Sequence, residues 1–343
     1  MTQLGVCVVG AGFWAENMHL PALQQIPGVT VTCVVAATET SARATAAKFG
    51  IARWSTDFRD AVAAPDVQVV DVVAPPFIHH DAVVAAAEAG KHAICIKPLG
   101  RTVTEAASMV DAADRAGTRL FYAENVPFIP AVQEARRLVS AGTIGEVYRV
   151  KACEGIGAPH ADWFFDPVLS GGGALLDMAV HSIEFCRFFA GAPVASVYAD
   201  AGTFVWADRT PAEDTAVLTL RFDNGVLGQC EDSWSLSGAM DSRFEVFGTE
   251  GRILIDNLHR QPIQVVGPAA REQAAGWTYP LPIPGLVADG HLAMLTHFVD
   301  CIRDGSGSLS EGRVGIDVLQ VIESAHRSVA TGRRQTVQRG LVA

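Results

Sequence analysis

The sequence has no block of basic residues: 26 Lys and Arg stand against 37 Asp and Glu, for a formal charge of −11, and no run of like charge forms a tail. Such a surface does not neutralise phosphate backbones or anionic headgroups, so neither a nucleic-acid nor a membrane partner is expected. Nowhere do about 18 apolar residues run together, which leaves no candidate spanning helix. The chain passes from Thr2 into the apolar run Val6 to Val9 without a basic leader, a long apolar segment or a small-residue cleavage site, so a cytoplasmic protein is expected. Seven cysteines (Cys7, Cys33, Cys95, Cys153, Cys186, Cys230, Cys301) are scattered singly with no C-x-x-C pair, which reads as buried thiols. There is no internal repeat and no low-complexity tract.

What is present is an ordinary globular composition, 49% hydrophobic and 18% charged, over 343 residues, a length that favours two domains. In the first third, apolar runs at Gly5 to Val9, Val29 to Val35, Val67 to Val73, His92 to Ile96 and Arg119 to Ala123 alternate with Ala-rich amphipathic stretches at Trp14 to Gln25, Thr40 to Phe49, Ile78 to Ala89 and Thr102 to Ala116. Buried parallel strands with crossover helices have this pattern, and it predicts a doubly wound α/β domain over residues 1–123. From residue 124 to 343 the character changes. A helix is expected over Ala131 to Ser140, a strand over Val147 to Cys153 and a helix over Ala174 to Ala190, followed by successive strands from Val194 to Asp256. Asp223-Asn224-Gly225 is a strong hairpin turn between Val217 to Phe222 and Val226 to Glu231. A second, α+β domain on an open, largely antiparallel sheet follows from this. Residues 262–287 read as a long surface excursion, and helices near 289–304 and 312–331 close the chain.

Directly after the first strand stands Gly10-Ala11-Gly12-Phe13-Trp14-Ala15, a G-x-G-x-x-A fingerprint that opens a helix. Gly10 permits the tight turn, Gly12 lets backbone N–H groups approach a pyrophosphate, and Ala15 allows close packing of helix on sheet. The helix N-terminus adds partial positive charge. A dinucleotide cofactor, NAD or NADP, is therefore expected here, with Phe13 and Trp14 in the same loop. At the end of the second strand, where an acid would hold the ribose diol, the chain reads Ala36-Ala37-Thr38-Glu39, with Ser41 and Arg43 close behind. Ala36 and Thr38 are cofactor-binding candidates, and the coenzyme preference stays open.

Two further constellations carry chemistry. Ile96-Lys97-Pro98 lies at the end of the fourth strand, on the carboxyl edge where doubly wound sheets bind ligands. Lys97 is either a solvated surface lysine or an ammonium that binds a substrate oxygen. Gly171-Gly172-Gly173 leads through Asp177 to His181, and in a regular helix residues four apart share a face. His181 is then an acid/base candidate with a carboxylate neighbour, although such pairs also decorate ordinary helix surfaces. His79, in Ala74-Pro75-Pro76-Phe77-Ile78-His79, is a cofactor-shaping or plain loop histidine, and Ala74 and Pro75 are cofactor-binding candidates. His160 and Trp163, in Pro159-His160-Ala161-Asp162-Trp163-Phe164-Phe165, suit a sugar-binding wall or an aromatic core segment, and Asn125 is a further substrate-binding candidate. The remaining tryptophans read as packing, and no spacing indicates a metal site.

Taken together these residues resemble the Gfo/Idh/MocA family of oxidoreductases. The resemblance spans essentially the whole chain, through Gly10-Ala11-Gly12, Asp71-Val72-Val73-Ala74-Pro75 with His79, Ala89-Gly90-Lys91-His92 to Lys97-Pro98, Gly171-Gly172-Gly173 to Asp177 and His181, Gly248-Thr249-Glu250-Gly251 and the helix through Ser324-Ala325 to Thr331-Gly332. It implies a Rossmann domain, a second domain whose sheet pairs subunits into homodimers or homotetramers, and a substrate pocket lined by Lys97, Asp177 and His181. It also implies NAD(P)-dependent hydride transfer at a hydroxyl carbon of a sugar, inositol or related polyol. Three positions depart from the family pattern: Ile96 where Glu is usual, Ala74 where Thr is common and Pro76 where Asn is common. Two rival readings remain at this level, a non-catalytic dinucleotide-binding sensor of the same fold and a metal-dependent hydrolase or lyase using Asp177, His181 and His160.

Overall fold

The computed structural model describes residues 3–258, 262–267, 281–283 and 289–340. Their contacts gather into two units, one of residues 3–124 with His291–Ile316, the other from the described residues of 125–290 with 317–340. In the first unit β1 (Leu4–Val9), β2 (Val29–Val35), β3 (Arg53–Ser55), β4 (Val69–Val72), β5 (His92–Ile96) and β6 (Leu120–Ala123) form a parallel sheet in the order β3-β2-β1-β4-β5-β6. The order reverses beside β1, which places the loop after β1 at the topological switch point of a Rossmann sheet. Every residue of β1 and β4 is buried, so both faces are covered and the strands read as continuous apolar runs. Thr38 and Thr102 cap the helices Glu39–Phe49 and Val103–Ala116 by accepting from Ser41 N at 3.2 Å and Glu105 N at 3.1 Å.

Two features of this unit were not legible in the sequence. The strand β3 has only three residues, too few to show a period. The helix His291–Asp304 returns to this unit, where Phe298 stacks on Phe121 of β6 with ring centroids 4.9 Å apart. The chain is thus not divided by a single cut near residue 123, because an amphipathic helix does not announce in its own sequence which sheet it will cover.

The second unit is built on β7 (Val147–Ile156), β8 (Val194–Gly202), β9 (Thr215–Phe222), β10 (Leu227–Ser233), β11 (Met240–Gly248), β12 (Arg252–Asp256), β13 (Ile263–Val266), β14 (Leu281–Ile283) and β15 (Gln335–Thr336). Their order is β14-β13-β12-β11-β7-β10-β9-β8-β15, with β7 and β10 parallel and the other described pairs antiparallel. The hairpin at Asp223-Asn224-Gly225 joins β9 to β10 as expected, and the Asn224 side-chain amide donates to Ala190 O at 2.8 Å. Strands β13 and β14 fall inside the segment read as a surface excursion, a correction for those residues. Positions 268–280 and 284–288 lie outside the described residues.

Along β10 every second residue is buried, the signature of a sheet covered on one face. The helix Ala179–Ala190 supplies that cover: Phe185 stacks on Phe244 at 4.3 Å, and Cys186 meets Cys230 at 3.9 Å. On the other face Lys151 pairs with Glu231 at 3.1 Å and Arg243 with Asp241 at 2.5 Å. Cys153 shares that face and is the one half-buried thiol of the seven; burial, and then Asp241 3.3 Å away, push its pKa up to about 12. No described helix is long and apolar enough to cross a membrane.

Candidate active site

The first candidate element, in the first unit, is the loop after β1. Gly10 has φ +136°, and a Cβ on it would stand 2.0 Å from Val73 O, so only glycine lets β1 turn this closely beside β4. A Cβ on Gly12, in contrast, would meet nothing within 4 Å. The backbone at Gly12 is unobstructed where a side chain would stand, and with the fully buried Ala15 behind it the loop fits a dinucleotide. The helix that follows starts as a π-helical turn, Ala15–His19, and only then becomes the α-helix Leu20–Leu23, where a regular helix was expected. Phe13 is exposed, while Trp14 stacks on His291 with centroids 6.0 Å apart. Beyond β2, Ala36 is buried, Thr38 is engaged as a cap, and Glu39 and Arg43 form an exposed pair at 2.9 Å with the guanidinium 4.8 Å over Trp54.

Beneath this loop His19 Nδ1 lies 2.9 Å from Asp71 Oδ2, both side chains fully buried. Sequence reasoning missed the pair. The available signal was Asp71 itself, a lone carboxylate inside the apolar strand β4, because a buried acid requires a partner.

At the carboxyl edge of the sheet, the half-buried Lys97 precedes Pro98 across a cis peptide bond. Ile96 is buried at the end of β5, so the position that departs from the family's Glu is spent on packing. Pro75 and Pro76 stand at the N-cap and first position of the helix Pro76–Glu88, where a missing N–H costs nothing, and this accounts for Pro76. His79 is fully buried, its ring nitrogens 2.7 Å from Ala74 O and 2.9 Å from Pro98 O. It ties the loop after β4 to the turn that carries Lys97. Burial pushes its pKa down, against the pull of those two carbonyls.

The second candidate element belongs to the other unit. Gly173 passes Glu213 so closely that a Cβ would stand 2.0 Å from Glu213 O, and there Ala174 N donates to Glu213 O at 2.8 Å and Leu175 N to Glu213 Oε1 at 3.1 Å. These bonds start the turn Ala174–Asp177. A regular helix through Ala190 was expected, but it breaks at Met178, and Ala179–Ala190 begins anew with His181 N donating to Met178 O at 3.1 Å. Asp177 and His181 therefore flank a break, and both side chains are half-buried.

The Asp177 carboxylate accepts from the indole N–H of Trp234, Nε1 to Oδ2 2.8 Å. Trp234 is fully buried and centres an aromatic cluster: Phe164 lies edge-on to it at 6.1 Å, Trp163 stacks on Phe164 at 3.7 Å, and His160 meets Phe164 edge-on at 4.9 Å. The structure so groups His160 and Trp163 with Asp177 through Phe164 and Trp234. Trp234 had read as mere packing, and nothing local in its sequence marks the contact. Asn125 donates to Asp289 O at 2.6 Å. Among the described residues no three His, Cys, Asp or Glu side chains are grouped to hold a metal ion.

Residues 4–124 match the model of an oxidoreductase family with an NAD-binding Rossmann fold, and residues 132–254 match the GFO/IDH/MocA C-terminal domain. Levoglucosan dehydrogenase of Pseudarthrobacter phenanthrenivorans is 31% identical over 298 residues, 77% of this chain and 76% of that protein. The scyllo-inositol 2-dehydrogenase (NAD(+)) of Bacillus subtilis is 28% identical over 313 residues, 88% of this chain and 87% of its own. Among solved structures, levoglucosan dehydrogenase with NADH and L-sorbose superposes with a TM-score of 0.91 at 26% identity, covering 99% of this chain and 100% of the other. A Rossmann sheet with its glycine loop, a mixed sheet carrying the Asp177 turn, and matches over both agree on one assignment: the chain belongs to the GFO/IDH/MocA family of oxidoreductases.

Proposed function

We propose that this protein is an NAD(P)-dependent dehydrogenase that moves a hydride between nicotinamide and a hydroxyl-bearing carbon of a sugar, inositol or related polyol. The observation that carries the reading is the Asp177 carboxylate held by a buried indole in the cluster of His160, Trp163 and Phe164. A carboxylate and aromatic faces together recognise a polyol, one through its hydroxyls and the other through its C–H surface. Relatives named levoglucosan dehydrogenase, scyllo-inositol 2-dehydrogenase and myo-inositol 2-dehydrogenase support the same substrate class.

Gly10, Gly12, Phe13 and Trp14 hold the dinucleotide at the β1 loop, and Ala36, Thr38, Ala74 and Pro75 shape its borders. The bound nicotinamide supplies the hydride acceptor. His181 takes the proton of the substrate hydroxyl, Asp177 orients the substrate or the imidazole, and the Lys97 ammonium stabilises the developing alkoxide. The enzyme is cytoplasmic and pairs its subunits through the uncovered face of the mixed sheet, where Lys151, Glu231, Asp241 and Arg243 lie.

Nicotinamide absorbance followed with NAD and with NADP across aldoses, anhydrosugars, inositols and glycosides tests this reading. Turnover with one substrate class and one coenzyme is expected. Tight coenzyme binding with no absorbance change on any of them would overturn it in favour of a sensor.

A further inference from the structure

We infer that Trp234 is a positioning residue for the reaction, setting the Asp177 carboxylate through its indole N–H. The inference rests on the reading that Asp177 acts on the substrate. An indole is a donor only, so its bond of 2.8 Å to Oδ2 requires that oxygen to accept. One lone pair of Oδ2 is thereby taken up by the indole, which fixes the orientation of the carboxylate. A donor fixed in a buried site is worth more than one in water, because no solvent replaces it.

The indole is itself aimed from behind. Trp234 N donates to Asp214 O at 2.7 Å, and Trp234 O accepts from Trp206 Nε1 at 3.1 Å. Trp206 lies in a loop whose consecutive N–H groups at Phe204, Val205 and Trp206 all donate to Asp214 Oδ2, at 2.9, 2.7 and 2.9 Å. Asp214 therefore anchors both sides of Trp234, once through its carbonyl and once through the loop.

The test compares W234F, D177N and the double variant in steady-state kinetics on the substrate found by the screen. W234F removes the donor and keeps an aromatic ring. It is expected to lower kcat about tenfold, the scale of a hydrogen bond to a charged group, with KM and coenzyme affinity nearly unchanged. In the D177N background the same change is expected to have almost no further effect on kcat, because the donor acts through the carboxylate. Where phenylalanine disturbs the packing, a benzothienyl analogue of tryptophan at 234 keeps the bicyclic shape without the N–H. Full kcat in W234F, or a loss that recurs undiminished in D177N, overturns the inference. Full kcat in D177N instead overturns the role of Asp177, which separates the two failures.

Discussion

In the first unit the loop at Gly10 is shaped by backbone against backbone: Gly10 N donates to Val35 O at 2.9 Å, and no Cβ fits beside Val73 O. In the second unit Asp177 is set by side chains remote in sequence, with Trp234 57 positions away, while Glu213 starts its turn from 38 positions away. A loop that cradles a common cofactor needs the same backbone path whatever the substrate, so glycines at fixed spacing suffice. A side chain held at a particular angle needs particular neighbours, and a network of long-range bonds supplies them to Asp177.

The largest effects are expected in the chemistry. Lys97→Ala and His181→Ala should each lower kcat by about 10²- to 10⁴-fold while the melting temperature stays near that of the parent, because both side chains are half-buried. Wild-type turnover in both would remove their assigned roles.

The next contrast lies within the phosphate loop. Gly10→Ala should cost about 3 kcal/mol or more in urea unfolding, since positive φ and a backbone clash act together. Gly12→Ala, with open space around it, should change stability by less than about 1 kcal/mol yet weaken the coenzyme tenfold or more, about 1.4 kcal/mol of binding. A Gly10→Ala protein as stable as the parent would break the view that backbone alone specifies this loop.

In the second unit Asp214→Asn should cost about 1.5–3 kcal/mol at neutral pH, the value of hydrogen bonds to a charged acceptor. Burial raises the Asp214 carboxyl, but the three N–H groups outweigh it and hold its pKa below the ordinary range. A depressed native pKa stabilises the fold above the unfolded value of about 3.9, and that stability is lost as pH falls through the native value. The gap between parent and variant in thermal melts should accordingly close in acid.

Asp232 gives the smallest effect and the opposite sign. It is fully buried, accepts from Ser182 Oγ at 2.7 Å through Oδ1, and its Oδ2 has no hydrogen-bond partner among the described residues. Burial raises its pKa well above the usual range, so between the unfolded value and the native one the native state holds a proton that the unfolded chain has released. Stability then falls as pH rises from the unfolded value toward the native one. Asp232→Asn should remove that slope and melt higher than the parent at alkaline pH, a gain of about 1 kcal/mol, the scale of a single hydrogen-bond adjustment. A parallel pH dependence in both proteins would show that Asp232 does not titrate in this way.

Much of the fold was readable because its signals are local and periodic. The ranges of β2 and β5 follow directly from their apolar runs, and Asp223-Asn224-Gly225 marks its hairpin by turn chemistry alone. Lys97, Asp177 and His181 stood out through motif spacing, but the break at Met178 did not, since nothing in Ala174 to Ala190 interrupts a helical pattern. His19 with Asp71, and Trp234 with Asp177, are side chains paired across 52 and 57 positions, and no window along the chain contains both partners.

By itself, then, the sequence determined a parallel sheet with a glycine loop at its switch point and a mixed sheet after it, because period, turn residues and backbone sterics act between neighbours. Only the tertiary structure decided that His291–Asp304 joins the first unit, that the helix breaks after Asp177, and that a buried indole sets that carboxylate. Those outcomes depend on which surfaces meet once the chain has folded, and packing joins residues without regard to their distance in sequence.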